Sequence, residues 1–350
     1  MRVLLSNDDG PPGTDSPFIV GLVGEMVKKG WNVSVVIPSS QKSWISKAFQ
    51  IRDQVHASFI YPTLDNKIGP YDALHQPRGV RDGELGEWIL LDGTPATCVN
   101  IGIHHFSKEP FDLVVSGPNY GRNTSNAFSL SSGTIGGAME GSLCGIKSIA
   151  ISYAIVDKPI PQHSIYVSQT AVADRIAVQL IEKLYASWPK DSADLYSINI
   201  PLVHQLSDQS KIQWTNLYRG RYGRLFKATQ PDHPSISKIT TTPQDESTRE
   251  GSMTFRVTLT VVDREARAVG PGGVLPNGEG PSKPVDVSDD RLTFVFAPDI
   301  KMLIDPRSDL PDDCDAWAIQ NGIISVTALK TGFEQVPIHI AKNITELGKL

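Results

Sequence analysis

The sequence predicts an α/β protein: a doubly wound, mostly parallel sheet followed by a smaller C-terminal extension with antiparallel strands. Three observations lead there. From Met1 to about Pro201, short continuously apolar runs alternate with amphipathic or small-residue stretches, the pattern of βα units around a parallel sheet. The apolar runs do not alternate with polar residues, so they suit strands buried on both faces. After Pro201 the pattern changes to a period of two, the mark of strands wet on one face.

Taken in order, "RVLLS" is the first strand. "SPFIVGLVGEMVKKG" reads as a helix, with Ser16 as N-cap, Pro17 in the first turn, two lysines in the last turn and Gly30 closing it. "WNVSVVIP" is a second strand. "GTPATCVNIGIHHF" starts another helix, capped by Thr94 with Pro95 behind it. "FDLVVSGPN" is a third strand, and "SSGTIGGAMEGSLCG" a helix rich in small residues. Gly136, Gly137, Ala138 and Gly141 would let that helix lie close to the sheet. "IKSIAISYA" is a fourth strand, about Tyr166 to Trp188 a long amphipathic helix, and "LYSINIP" a fifth strand.

Beyond these, "SMTFRVTLTVVD", "RLTFVFAPD" and "GIISVTALK" are candidate strands of the extension. A Gly/Pro-rich excursion covers 264–290, and an irregular insertion runs from about Ile60 to Glu87. The expected division is a catalytic core over 1–205 and an extension over 206–350.

Composition narrows the classes. The chain has 350 residues, 40% hydrophobic and 20% charged, an ordinary globular balance. A net charge of -5 argues against nucleic acid as partner, since a basic footprint is expected there. Cys98, Cys144 and Cys314 form no CxxC pair, which disfavours a disulfide framework or a thiolate zinc site. With no charged n-region and h-region at the start, and no apolar run of membrane length, the expectation is a cytoplasmic protein without a membrane partner. In that setting the sequons at Asn32, Asn123 and Asn343 carry little weight.

In open α/β sheets ligands bind beyond the carboxyl ends of the strands. The first strand ends on Asn7-Asp8-Asp9, the second leads to Ser39, Ser40 and Ser43, and the third ends on Ser116, Asn119 and Asn123. Two adjacent carboxylates repel each other, and a divalent cation would remove that repulsion. Carboxylate, hydroxyl and amide oxygens form a hard donor set, suited to Mg²⁺ or Mn²⁺. Ser132, Gly133 and Thr134 stand at a helix start, where free N–H groups and the helix dipole favour an anion. A cation beside an anion pocket is the outline of a phosphate-ester site. Each string alone is commoner as a turn or an N-cap; the convergence of several on one sheet edge carries the argument. Glu140 suits either a buried partner or a solvated face. His104 and His105, adjacent near a helix end, read as surface or structural residues. "WTNLYRGRYGR" is a basic-aromatic cluster in a partly solvated or dimer-facing segment.

The segments "MRVLLSNDDG", "VVIPSSQKS", "LDGTPATCV", "DLVVSGPNYGRN", "SGTIGGAMEG", "IKSIAIS" and "SINIP" occur in an order that resembles the SurE family of metal-dependent phosphatases and nucleotidases, over roughly Met1 to Pro201. "NDDGPPG" followed by "SPFI", with the long insertions, is similar to the fungal branch, which includes acid phosphatases. The resemblance implies a Rossmann-like core and a C-terminal extension used in a homodimer or higher homo-oligomer. It also implies a divalent metal held by Asp8, Asp9, Ser43 and Asn119, with phosphate bound by Ser132, Gly133 and Thr134. Ser43 matches because the family serine lies five residues after the proline, here Pro38. Two departures stand out: Ser39 follows Pro38 where the family usually has aspartate, and Ser131 precedes SGT where a histidine is frequent. Both change the pocket lining, which leaves open the nucleotide preference that bacterial members would imply.

The expected function is hydrolysis of a small phosphate monoester, such as a nucleoside monophosphate, by water activated at the metal, with Asp8 and Asp9 catalytic. The adjacent aspartates differ from the DxD of aspartyl-phosphate enzymes, which favours direct attack by water. The alternative is a catalytically silent nucleotide-binding or scaffold protein. A dinucleotide binder ranks low because no GxGxxG follows the first strand.

Overall fold

The computed structural model describes residues 1–155, 163–189, 193–229, 293–298 and 310–333, with the side chains of 163–168 outside the description. The candidate strand at 252–263 and the excursion at 264–290 lie outside these residues.

Five parallel strands form the centre: β1 (Arg2–Ser6), β2 (Asn32–Pro38), β5 (Leu113–Tyr120), β6 (Lys147–Ala154) and β7 (Leu195–Pro201). β3 (Ala57–Ile60) and β4 (Trp88–Leu91) extend one side, and β11 (Ile324–Leu329) and β8 (Ile212–Trp214) the other. The sheet order is β3-β4-β2-β1-β5-β6-β7-β11-β8. β4 is parallel to β2, whereas β3 and β11 run antiparallel to β4 and β7.

Both faces are covered, which explains the unbroken apolar runs. Val3 and Leu5 of β1 face one side, packed with residues of α1 (Ile19–Lys28) and α5 (His163–Ala186). Leu4, between them, joins Cys98 and Val99 of α2 (Pro95–His105) on the other side. The same side carries α4 (Gly133–Leu143), which follows the short α3 (Ser125–Ser131). A Cβ on Gly141 would fall 2.7 Å from Val114 and one on Gly137 2.7 Å from the Ser116 hydroxyl, so the small residues do bring α4 hard onto β5. α6 (Asp315–Gln320), the last helix among the described residues, precedes β11.

Some local expectations are met and one is corrected. Thr94 caps α2 by accepting from the Thr97 N–H at 3.1 Å, and Ser132 caps α4 by accepting from the Ile135 N–H at 3.1 Å. Ser16 does not cap α1. Its hydroxyl accepts from Asn7 Nδ2 at 3.0 Å, and the helix begins at Ile19 without a side-chain cap. The insertion at 60–87 is irregular, but it is bracketed by the β3–β4 pair, which the sequence pattern does not reveal. Within it, Arg78 pairs with Glu84 at 2.5 Å and lies 3.7 Å over the Tyr61 ring. That pair holds the Glu84 carboxyl down at about 2.

The chain divides into two compact units. One comprises 1–221 with 303–350 and contains the large sheet; the other spans 222–302. Within the second unit β9 (Phe226–Ala228) and β10 (Phe294–Phe296) form a small antiparallel sheet. Among the described residues no helix is long and apolar enough to cross a membrane.

Candidate active site

β1 is the topological switch point. From it the chain crosses to β2 on one side, and β5 later lands on the other. The loops leaving β1 and β5 therefore diverge and open a crevice at the carboxyl edge, where ligands of such sheets bind. Asp8 and Asp9 leave β1 there, and Asn119 is the penultimate residue of β5.

Asn7 sets the loop. It is fully buried; its Nδ2 donates to Gly10 O at 2.8 Å and to Ser16, while its Oδ1 accepts from the Gly10 N–H at 3.2 Å. The two aspartates between these anchors are held in place. They remain only 2% and 4% exposed, although side chains of this type are seldom fully buried unpaired.

Each carboxylate meets a different element. Asp8 Oδ1 accepts from the Thr134 hydroxyl at 2.5 Å. The backbone of Gly133 and Thr134, at the N-terminus of α4, also bonds the Asp8 carboxyl. A Cβ on Gly133 would stand 2.7 Å from Asp8 Cβ and 2.9 Å from Ile45, so only glycine lets this helix end approach so closely. Asp9 Oδ2 accepts from the Tyr120 N–H at 2.6 Å, next to Asn119. The Asn119 amide donates from Nδ2 to Gly121 O at 2.9 Å, which turns Oδ1 away from that bond. The second loop arrives through Lys42, whose N–H donates to Asp8 O at 2.6 Å; Ser43 follows it, and its hydroxyl accepts from Gln41 Nε2 at 3.0 Å.

The electrostatics are those of an acidic pair without a counter-charge. Among the described residues no ion pair reaches Asp8 or Asp9. Burial raises the Asp8 carboxyl above the ordinary range, against the hydrogen bonds from Thr134 and Gly133. Burial, and then the Asp8 charge, push Asp9 well above it. Such a pair keeps both charges only beside positive charge. Carboxylate, amide and hydroxyl oxygens suit a hard divalent cation, so the residues present fit one. Three His, Cys, Asp or Glu side chains do not gather at any point among the described residues; any cation here would draw on Asn and Ser oxygens as well.

Other candidates resolve into structural roles. Ser39 donates to Asp92 at 2.6 Å, which occupies it at the edge of the loop. Ser132 Oγ accepts the Ile135 N–H as the α4 cap, which leaves its hydroxyl hydrogen to donate. Asn123 is a buried strut: its N–H donates to Asn199 and its Nδ2 to Ser152, both at 2.8 Å. Glu140 is a buried partner, bonded by Lys47 at 2.7 Å and Asn100 at 2.8 Å. His104 and His105 are exposed at the end of α2. In the basic-aromatic segment, Tyr218 donates its N–H to Asp315 and Gly220 its N–H to Asn126, so it is tied down next to α3.

Sequence reasoning missed Asn7 as an anchor, Ile45 against Gly133, and Tyr120. For Asn7, the glycine three residues on was the available clue. For Tyr120, the clue was an aromatic directly after Asn119.

The model of the family described as "Survival protein SurE" matches residues 3–224. The chain belongs to the SurE family. A "5'-nucleotidase SurE" from Ruegeria pomeroyi is 31% identical over 58% of this chain and 68% of its own length. A protein of the same name from Parasynechococcus marenigrum is 31% identical over 65% and 73%. By that name, both hydrolyse phosphate monoesters. A Saccharomyces cerevisiae protein named "Probable tubulin--tyrosine ligase PBY1" is 41% identical over 65% of this chain, and the chain spans only 32% of its length. The solved SurE protein of Aquifex aeolicus shares the fold, with a TM-score of 0.55 at 20% identity over 98% of both chains. The SurE match contains every residue of the crevice described above.

Proposed function

We propose that this SurE protein is a metal-dependent hydrolase of small phosphate monoesters, nucleoside monophosphates among them. In this reading Asp8, Asp9, Ser43 and Asn119 hold Mg²⁺ or Mn²⁺, and Ser132, Gly133 and Thr134 receive the phosphate. One observation carries it: a buried, uncompensated carboxylate pair touches the N-terminus of α4 at the switch point. A cation and a phosphate oxygen thus have neighbouring places, as phosphoryl transfer by positioning and charge neutralisation requires. The relatives named 5'-nucleotidase support the substrate class.

When bound, the divalent ion supplies charge neutralisation at the phosphoryl oxygens and a more acidic water. The protein supplies the rest. Asp8, fixed by Thr134 and the start of α4, is an anchor with little freedom. Asp9 is held by the single N–H of Tyr120, so it retains oxygen lone pairs for a water proton. Water attacking phosphorus in line with the ester oxygen would pass its proton to Asp9, the P–O bond to the alcohol would break, and the leaving oxygen would take a proton from solvent while the α4 N-terminus faces the anion.

The test is phosphate release from AMP and p-nitrophenyl phosphate by the full chain. Release with Mg²⁺ or Mn²⁺, lost with EDTA and restored by added metal, is the expected result. Nucleotide binding without turnover in any of these metals would instead support a silent binding protein.

A further inference from the structure

β5 is buried along its length except at its last residue, Tyr120, which is 39% exposed. Its main chain belongs to the site, since its N–H fixes Asp9. Its ring does not take part in that bond. It meets the buried Phe18 edge-on, with centroids 5.4 Å apart and planes at 76°. In an edge-to-face pair at most one face of the tyrosine ring is covered by its partner. Phe18 is itself wedged against Tyr153 at 5.4 Å, so the ring is supported from the core side. The ring is thus partly exposed at the end of β5, one residue beyond Asn119 and on the residue whose main chain fixes Asp9.

We propose that Tyr120 is a specificity-determining residue whose ring stacks against an aromatic group on the alcohol side of the ester, a nucleobase or an aryl ring. The inference rests on the phosphomonoesterase reading and adds to it which esters are favoured. A phosphate held at Asp8, Asp9 and α4 leaves the alcohol portion to project from the crevice past the end of β5. A rigid π face there costs little conformational entropy to use and accepts any base.

The experiment compares kcat/KM for AMP with that for glycerol phosphate, an ester without a ring, using the full chain with Mn²⁺. Tyr120→Leu fills the space against Phe18 without a π face, and Tyr120→Phe keeps the ring. The Asp9 bond comes from the main chain and survives in both. The ratio of the two kcat/KM values should fall about tenfold in Tyr120→Leu, mainly through KM for AMP, which is the size of one base–aromatic stack. In Tyr120→Phe it should stay within about twofold. An unchanged ratio in Tyr120→Leu, or an equal fall in Tyr120→Phe, overturns the assignment while leaving the hydrolase reading standing. Failure of the unmodified protein to hydrolyse either ester overturns both.

Discussion

Two of the regions that bury acidic side chains do so in opposite ways. At the carboxyl edge of the sheet, Asp8 and Asp9 sit side by side among donors: the Thr134 hydroxyl, the start of α4 and the Tyr120 N–H. In the packed layer under α1 and α5, Asp174 lies almost alone, 2% exposed, receiving one bond from the Tyr153 hydroxyl at 2.7 Å. Gly21 of α1 is so close that a Cβ there would clash with Asp174 Oδ2. Burial lifts the Asp174 carboxyl to about 7, with the charges of Lys67, Glu25 and Lys28 as smaller influences. The difference teaches that burial of a carboxylate alone says nothing about function. An acid at the end of a parallel strand meets loops, helix starts and a crevice. The same group in mid-layer meets apolar packing and a single hydroxyl, and costs stability when it ionises.

The sharpest break in that comparison is Asp8→Asn. Phosphate release should fall about a hundredfold or more, the scale of losing a principal electrostatic contact. The thermal midpoint should hold or rise, because the repulsion with Asp9 is gone. Phosphate release left nearly unchanged would place Asp8 with Asp174.

Next is Thr134. Thr134→Val removes the hydroxyl that orients Asp8 but keeps the shape. Activity should drop about 10- to 100-fold, as when a partner that orients a ligand is removed, and the metal concentration for half-activity should rise. Thr134→Ser should recover most of both. Equal titrations of metal in Val and Ser variants would show that Asp8 needs no such support.

The smallest effect on catalysis and a clear one on stability belongs to Asp174→Asn. An unfolded aspartate ionises near 4, whereas the folded one holds its proton up to about 7. The stability associated with that proton is full below about pH 4, declines as pH rises through this window and is gone above pH 7. Asp174→Asn should be more stable than the natural protein at pH 8, on the order of 3–4 kcal/mol by proton linkage. The advantage should shrink steadily toward pH 4. Melting curves that stay parallel from pH 4 to 8 would deny the buried acid this role. Turnover at pH 6 should be nearly unaffected.

The parts of the fold legible in the sequence were those governed by local chemistry. Val3, Leu4 and Leu5 read as a strand covered on both faces because consecutive apolar residues need two faces to bury. Thr94-Pro95 and Ser132-Gly133 read as helix starts because a hydroxyl three residues before a free N–H is a local fit. Ser16 failed by the same logic: a remote-loop partner, Asn7, took its hydroxyl. β3 and β4 are four residues each and lie on either side of a long insertion, so neither has enough pattern to be seen without its partner. At the site, the residue types and the sheet edge were readable, and so was Gly133 at a helix start. That Thr134 and the start of α4 grip Asp8, and that Tyr120 grips Asp9, was not.

Composition and periodicity were enough to specify an α/β sheet, its central strands and an oxygen-rich edge, because burial patterns and caps depend on neighbours a few residues apart. The order of the strands, the pairing of each aspartate with its own donor and the fate of Asp174 were decided only in three dimensions. Residues 126 and 111 positions apart in the chain supply those contacts, and no local preference reaches across such a separation.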